Sequence, residues 1–367
     1  MGDKDCKRGG VRPLHALFLA FAVLVAGCGT RSVEFSDPVE IDESVVTTST
    51  TTATTTTTAP ATTSTTSTSS TTTTTTTTTA PPPLALDEEG VPVNGQTAGV
   101  VRTTTGWIVP VLDTTDAGWR VWTPCGREAV ISSGEFVSEV DVVLDPGHGG
   151  SEPGAVGPGG TREADINLQV ARRVRDALEA DGHSVLMTRN SDIRVPIVTR
   201  AEIALALDPI ANISIHHNAG TEAVSTEPGT EMFFQLASAD SKRLAGLIFE
   251  ETRAFLDPFG STWFALEDAG AMGRANRDGG DYYGVLRRPA AVTSVLAEFA
   301  YITNAVEEDL LNRADVQNGL AEAVRSAMER FLATDDPGSG FTVEPTFRGF
   351  GPSGAGRTTN CTDPVLE

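Results

Sequence analysis

From Val142 to Leu332 short β-branched runs alternate with stretches whose apolar residues recur every three to four positions. Val142 to Leu144 is an apolar run of the kind buried on both faces of a sheet. Ile166, Val170, Val174 and Leu178 then recur at helical spacing until Gly182 ends the pattern. Ser184 to Thr188, Ala211 to Ile215, Glu231 to Leu236 and Val292 to Phe299 read as further strands. Val198 to Leu207, Ser241 to Phe255 and Asp315 to Leu332 read as helices, the last amphipathic. This order predicts an α/β domain with a mixed, mostly parallel sheet and helices on both faces. Upstream, Val100-Val101, Trp107 to Val109, Trp119 to Trp122 and Val130-Ile131 are short β-branched and aromatic runs separated by Gly, Asp and Thr clusters. They predict a small β element over residues 89–138 ahead of the main domain at 139–335.

That β element fits either an SH3-like barrel or an extension packed on the main domain. Residues 29–88 have no hydrophobic period; from Thr47 to Thr79 they are almost wholly Thr, Ser and Ala, and Pro81-Pro82-Pro83 closes the tract. Such a segment has nothing to bury and predicts a disordered tether with a typical reach of roughly 40 Å. Before it, Lys4, Lys7, Arg8 and Arg12 precede the apolar run Leu17 to Val25, and Ala26-Gly27-Cys28 closes that run. Residues 1–28 thus resemble a lipoprotein signal, which implies export, cleavage before Cys28 and a lipid anchor on its thiol at the outer face of the cytoplasmic membrane. An ordinary cleaved secretion signal or an uncleaved anchor would also place the chain outside the cytoplasm.

Charge and cysteine content sharpen this picture. The formal net charge of −22 at pH 7 argues against nucleic acid as a partner, because phosphate-backbone binders present basic faces. Of the four cysteines, Cys6 leaves with the signal and Cys28 is the lipid site. Cys125 and Cys361 remain, either as a disulfide fixing the C-terminal tail (336–367) to the β element or as two free thiols.

The candidate chemistry lies at strand ends, where α/β sheets gather functional residues. His148 follows the first strand in "DPGHGG", His216 follows "ANISI", and Glu298 lies near the end of "VTSVLAEF". Glu163 opens the first helix behind the glycine-rich loop "GGSEPGAVGPGG". Two imidazoles and a carboxylate form a ligand set for catalytic zinc, leaving a fourth position for water and a second glutamate to handle protons. His217 adjoins His216, but alternation along a strand lets only one of the two reach a given metal. The HExxH pattern of zinc proteases is absent.

The motifs "VVLDPGHGG", "GGTREADINL", "LMTRNSD", "SIHHNAG" and "VLAEFAYITN", in this order from Val142 to Leu332, resemble the zinc-dependent N-acetylmuramoyl-L-alanine amidases of the amidase-3 family. The resemblance implies that His148, Glu163 and His216 hold Zn2+, with His216 preferred over His217, and that Glu298 is the catalytic base and acid toward a zinc-activated water. It implies as substrate the amide between N-acetylmuramic acid and L-alanine in peptidoglycan, and leaves room for a protein activator. Where the family commonly has Gly-Phe after the glutamate segment, this chain has Ala300 and Tyr301, a change that bears on groove shape. His217 is expected in the substrate groove or at the surface. Asp145 and Asn218, beside ligands, are expected either to orient an imidazole or to serve the turn. Arg189 and Arg200 are expected in structural ion pairs, and Tyr282, Tyr283 and Arg287 beside a glycan groove. The competing readings are an inactive or regulatory wall-binding protein and a zinc amidase or peptidase acting on another envelope peptide.

Overall fold

A computed structural model of the chain describes residues 99–220, 229–260, 270–342, 345–347 and 361–367. The signal, the lipid-site Cys28 and the tether lie outside the described residues.

The first strands are β1 (Val100–Arg102), β2 (Ile108–Thr115), β3 (Gly118–Trp122), β4 (Glu128–Ile131) and β5 (Glu135–Val137). They form one antiparallel sheet in the order β4-β3-β2-β1-β5. Val101, Val109, Val111, Val121 and Ile131 form its own small core, joined by Leu366 from the C-terminal segment.

The main domain follows with β6 (Val142–Pro146), α1 (Glu163–Ala180), β7 (Val185–Met187), α2 (Ile197–Leu207) and β8 (Ala211–Asn218). Next come β9 (Glu231–Phe234), α3 (Ala239–Leu256), β10 (Gly270–Ala275), α4 (Gly284–Arg287) and β11 (Ser294–Tyr301). α5 (Ala305–Leu311), α6 (Ala314–Ala333) and the two-residue β12 (Thr346–Phe347) complete it. The sheet order is β12-β10-β9-β11-β8-β6-β7, and β9 runs antiparallel to β11 while the other pairs are parallel. The mixed, mostly parallel sheet agrees with the expectation from periodicity. β10 was not legible in sequence, because "GAMGRA" carries no β-branched signal; pairing with β9 makes it a strand.

Strand alternation divides the core into two faces. On one, Val142, Leu144, Ile213, Ile215, Val295 and Ala297 meet Ile166, Val170 and Val174 of α1, Leu244 and Ile248 of α3, and Val316, Leu320 and Val324 of α6. On the other, Val143 and Leu186 meet Ile203 and Leu207 of α2 together with Val100 and Ile108 of the small sheet. The small β element therefore packs on the main domain and helps to cover its second face. The alternation also assigns the site: His216 and Glu298 have the parity of the second face, and His217 that of the α1 face.

Candidate metal centre

The loop that carries His148 is held by two buried arginines. Arg189, 1% exposed, donates to four backbone carbonyls, those of Pro146 (2.9 Å), Gly147 (2.8 Å), Ala164 (2.8 Å) and Ser191 (3.0 Å). Arg200 donates to Pro146 O (2.6 Å), His148 O (2.7 Å) and Val195 O (2.9 Å), and pairs with Asp145 at 2.6 Å. The expected ion pair thus exists for Arg200, whereas Arg189 donates to carbonyls. Asp145 also accepts from Thr188 Oγ1 (2.6 Å) and Ser214 Oγ (2.8 Å). Burial pushes its carboxyl up, but Arg200 and the two hydroxyls outweigh that and hold it below the usual carboxylate range. Asp145 spends its oxygens on these groups and orients no imidazole; its task is to fix Arg200 beneath the loop.

The stapled loop turns His148 into the left-handed region, φ 58°. Such a conformation costs of order 1–3 kcal/mol outside glycine and persists where the surroundings over-determine it. Close approach requires glycine on either side of the cluster. A Cβ on Gly147 would lie 2.0 Å from the His216 ring, and one on Gly154 2.4 Å from the Glu163 carboxylate. Glu308, from α5, accepts from Gly159 N (2.6 Å) and Thr161 N (2.9 Å), fixing the glycine-rich loop that delivers Glu163.

His148, Glu163 and His216 converge, with one potential donor atom from each within 4.8 Å of the others. Glu163 reaches His148 Nε2 at 3.2 Å through one oxygen and His216 Nδ1 at 2.8 Å through the other. Burial pushes Glu163 up, but the two imidazoles hold it well below the usual carboxylate range, so it is an anion. Burial also lowers the pKa of His216 against the pull of Glu163, favouring the neutral ring whose lone pair can ligate. Two imidazole nitrogens and one carboxylate at this spacing suit a small divalent cation of borderline softness, and zinc fits the set.

Glu298 stands opposite on the next strand, in register with His216 on one side and with Glu231 on the other. Its Oε2 is cut off from solvent and has no hydrogen-bond partner. Burial, reinforced by Glu163 and Glu231 and opposed by Arg274, raises its pKa well above the usual carboxylate range. His148, His216, Glu298, Tyr283 and Leu296 line one cleft of about 260 Å³. Tyr283 is thus beside the cleft as anticipated, its hydroxyl accepting from Arg274 at 2.6 Å, while Arg287 donates to Asp281 O and Tyr282 O.

One expectation is corrected. His217 is neither in the groove nor at the surface: it is 1% exposed on the α1 face, Nδ1 2.8 Å from Asn167 Oδ1, and burial pushes its pKa down to about 3. Of the two readings for Asn218 the turn role has the contact, its Oδ1 accepting from Ala219 N at 2.9 Å, while its amide donates to Glu231 Oε2 at 2.6 Å and Tyr301 donates to Glu231 Oε1 at 3.1 Å. Sequence reasoning missed Asn167, which donates to Glu163 Oε1 (3.3 Å) and Gly147 O (3.2 Å) and so ties the helix start to the His148 loop. Its spacing of four from Glu163, one helical turn, was the available signal. Glu231 and Glu308 were missed because their partners are distant in sequence. Cys125 and Cys361 are joined in a disulfide, Cα–Cα 5.5 Å.

Comparison with known proteins gives the chain a family. The family profile described as N-acetylmuramoyl-L-alanine amidase matches residues 142–330. The chain is 29% identical over 223 residues to the N-acetylmuramoyl-L-alanine amidase AmiC of Neisseria meningitidis, covering 53% of each protein. It is 30% identical over 219 residues to the uncharacterized protein YqiI of Bacillus subtilis, covering 58% of this chain and 97% of that one. Among solved structures, the amidase AmiC2 of Nostoc punctiforme is 29% identical with a TM-score of 0.44, over 52% of this chain and 96% of that chain. The chain spans about half the length of the AmiC proteins it matches. With more than half of its residues inside the matched span, the chain belongs to the N-acetylmuramoyl-L-alanine amidase family.

Proposed function

We propose that this chain is a zinc-dependent N-acetylmuramoyl-L-alanine amidase that hydrolyses the amide between N-acetylmuramic acid and L-alanine in peptidoglycan. The observation that carries the reading is the convergence of His148, Glu163 and His216 with the unpartnered Glu298 carboxylate at the wall of one cleft. His148, Glu163 and His216 would hold the zinc, which when bound supplies Lewis acidity toward an amide carbonyl and acidifies water. Asn167 keeps Glu163 turned to the two imidazoles, and Arg189 and Arg200 keep His148 in place.

Glu298 moves the protons. Glu298 lines the cleft and its Oε2 is held by no donor, so the carboxylate would take a proton from the attacking water and return it to the leaving amine, which would otherwise depart as a poor amide anion. The charge of Glu163 is one cause of the raised pKa of Glu298, so a cation that compensates Glu163 would lower it. The lipid anchor at Cys28 and the tether at 29–88 belong to the same proposal: they would hold the enzyme on the outer face of the membrane and let it reach the wall.

The test uses the full-length protein loaded with zinc and given purified peptidoglycan, with mass spectrometry for stems bearing a free L-alanine amino terminus. The unmodified protein releases them; Glu298→Gln, with zinc content unchanged, is slower by about 10²–10⁴-fold. Zinc-loaded protein that releases none, or cuts glycan or peptide bonds instead, refutes the assignment.

A further inference from the structure

A second cavity, of about 640 Å³, opens beside the metal cleft where the small sheet, the C-terminal segment and the main domain meet. Trp107, just before β2, and Pro124 line it from the small sheet; Thr362 and Pro364 line it from the C-terminal segment. Glu152 lines both cavities, and the stretch 194–197 contributes Arg194 and Pro196 to this one and Val195 and Ile197 to the metal cleft. The two spaces are therefore successive stations along one wall.

The C-terminal wall is fixed in place. The Cys125–Cys361 disulfide ties it to the small sheet, and Asp363 pairs with Arg127 at 2.7 Å while accepting from Cys125 N at 2.9 Å. Leu366 is buried in the small sheet's core, and the Glu367 side chain accepts from Ser133 N at 2.7 Å. A wall so tied down loses little further freedom when a ligand settles against it.

We propose that this groove is a saccharide subsite that holds the glycan strand of the polymeric substrate beyond the metal cleft. The inference rests on the peptidoglycan reading above. Three observations select a glycan over the stem peptide. The bond at issue hangs from a polymer that must continue past the cleft, and the groove is continuous with that cleft through Glu152. The indole of Trp107 and the rings of Pro124, Pro196 and Pro364 offer flat apolar faces to the C–H faces of pyranose rings, with the Ser151 and Thr362 side chains able to hydrogen-bond hydroxyl and acetamido groups. Among the described residues lining the groove, the charged ones are Arg194 and Glu152, and they pair with each other at 2.6 Å. That balance matches an uncharged chain of N-acetylated sugars, whereas the carboxylates of a stem peptide would call for an unpaired cation.

The experiment compares two substrates with the full-length zinc protein: polymeric peptidoglycan, and a single disaccharide carrying one stem peptide. Trp107→Ala raises KM on the polymer by about tenfold and leaves kcat and turnover of the disaccharide unchanged; Trp107→Phe keeps the platform and stays within about twofold. Because Trp107 also packs against the small sheet's core, exposed Thr362→Glu serves as a second variant and gives the same selective loss. Unchanged KM in both Trp107→Ala and Thr362→Glu, or an equal loss on both substrates, overturns the proposal while leaving the amidase reading intact. Titration with chitohexaose, followed by isothermal calorimetry so that the readout survives loss of the indole, reports on the groove independently of turnover. Binding that is lost in Trp107→Ala supports the subsite even if neither substrate is cleaved, an outcome that would sink the amidase reading alone. Absence of chitohexaose binding, or displacement of glycan by free stem peptide, refutes it.

Discussion

Arg200→Met is the most informative single change to the scaffold of the site. Arg200 and Asp145 are 5% and 3% exposed at the side chain, and the pair sits directly under the loop that carries His148. Methionine fills much of the volume but leaves Asp145 buried beside only two hydroxyls, those of Thr188 and Ser214. Removing one partner of a buried ion pair costs about 3–5 kcal/mol, the penalty of an uncompensated charge. Val195 O and His148 O lose their guanidinium donor, while Pro146 O keeps Arg189. At roughly 2–4 °C per kcal/mol for a domain of this size, Tm should fall by roughly 6–20 °C. The deficit should also depend on pH. In the native protein Asp145 has a lowered pKa, so its contribution is present above the unfolded value and lost as pH falls through the folded one. In the variant only the two hydroxyls still oppose burial, so the pKa rises, protonation relieves the buried charge and the gap to wild type narrows on acidification. Thermal melts of both proteins across neutral to acidic pH provide the assay, with Asp145→Asn/Arg200→Met expected to recover part of the loss. A Tm drop below about 3 °C at pH 7, or a gap that widens in acid, would show that the pair does not hold the loop.

Glu307, fully buried in α5 with Oε1 unpartnered, has its pKa pushed up to about 8 by burial against the Tyr301 and Gly229 amides. A raised carboxyl pKa means the fold binds the proton more tightly than the unfolded chain, so stability declines as pH rises from about 4.5 toward 8, by roughly 2–4 kcal/mol. Glu307→Gln should flatten that slope, and melts at pH 5 and pH 8 that still diverge as in wild type would refute the role. Chelation should abolish turnover and zinc restore it; zinc at about 100 times its Kd should add about 2.7 kcal/mol of stability, and an unmoved melting curve would count against a site at His148, Glu163 and His216. Cys361→Ser should cost about 2–4 kcal/mol and expose residues 361–367 to protease, whereas unchanged protease resistance would show that the other contacts suffice.

Sequence alone determined most of the architecture of the main domain. Period-two and period-3.6 patterns mark its principal strands and helices, because a residue's neighbours in these elements lie within a few positions of it. The same local logic placed His148, His216 and Glu298 at strand ends and Glu163 at a helix start. Tertiary structure decided the rest. "GAMGRA" becomes β10 only through β9, and His217 is buried because the strand's parity turns it toward Asn167 on α1. Asp145 and Asn218 look like partners of the neighbouring histidines but bond to Arg200 and Glu231, which reach them from α2 and β9. Sequence narrowed Cys125 and Cys361 to a disulfide or two thiols, and the fold brought them together across 236 positions. Local patterns record which way each side chain points relative to its own element. Which groups meet there depends on how separate elements pack, and long-range hydrogen bonds and ion pairs leave no periodic trace in the chain.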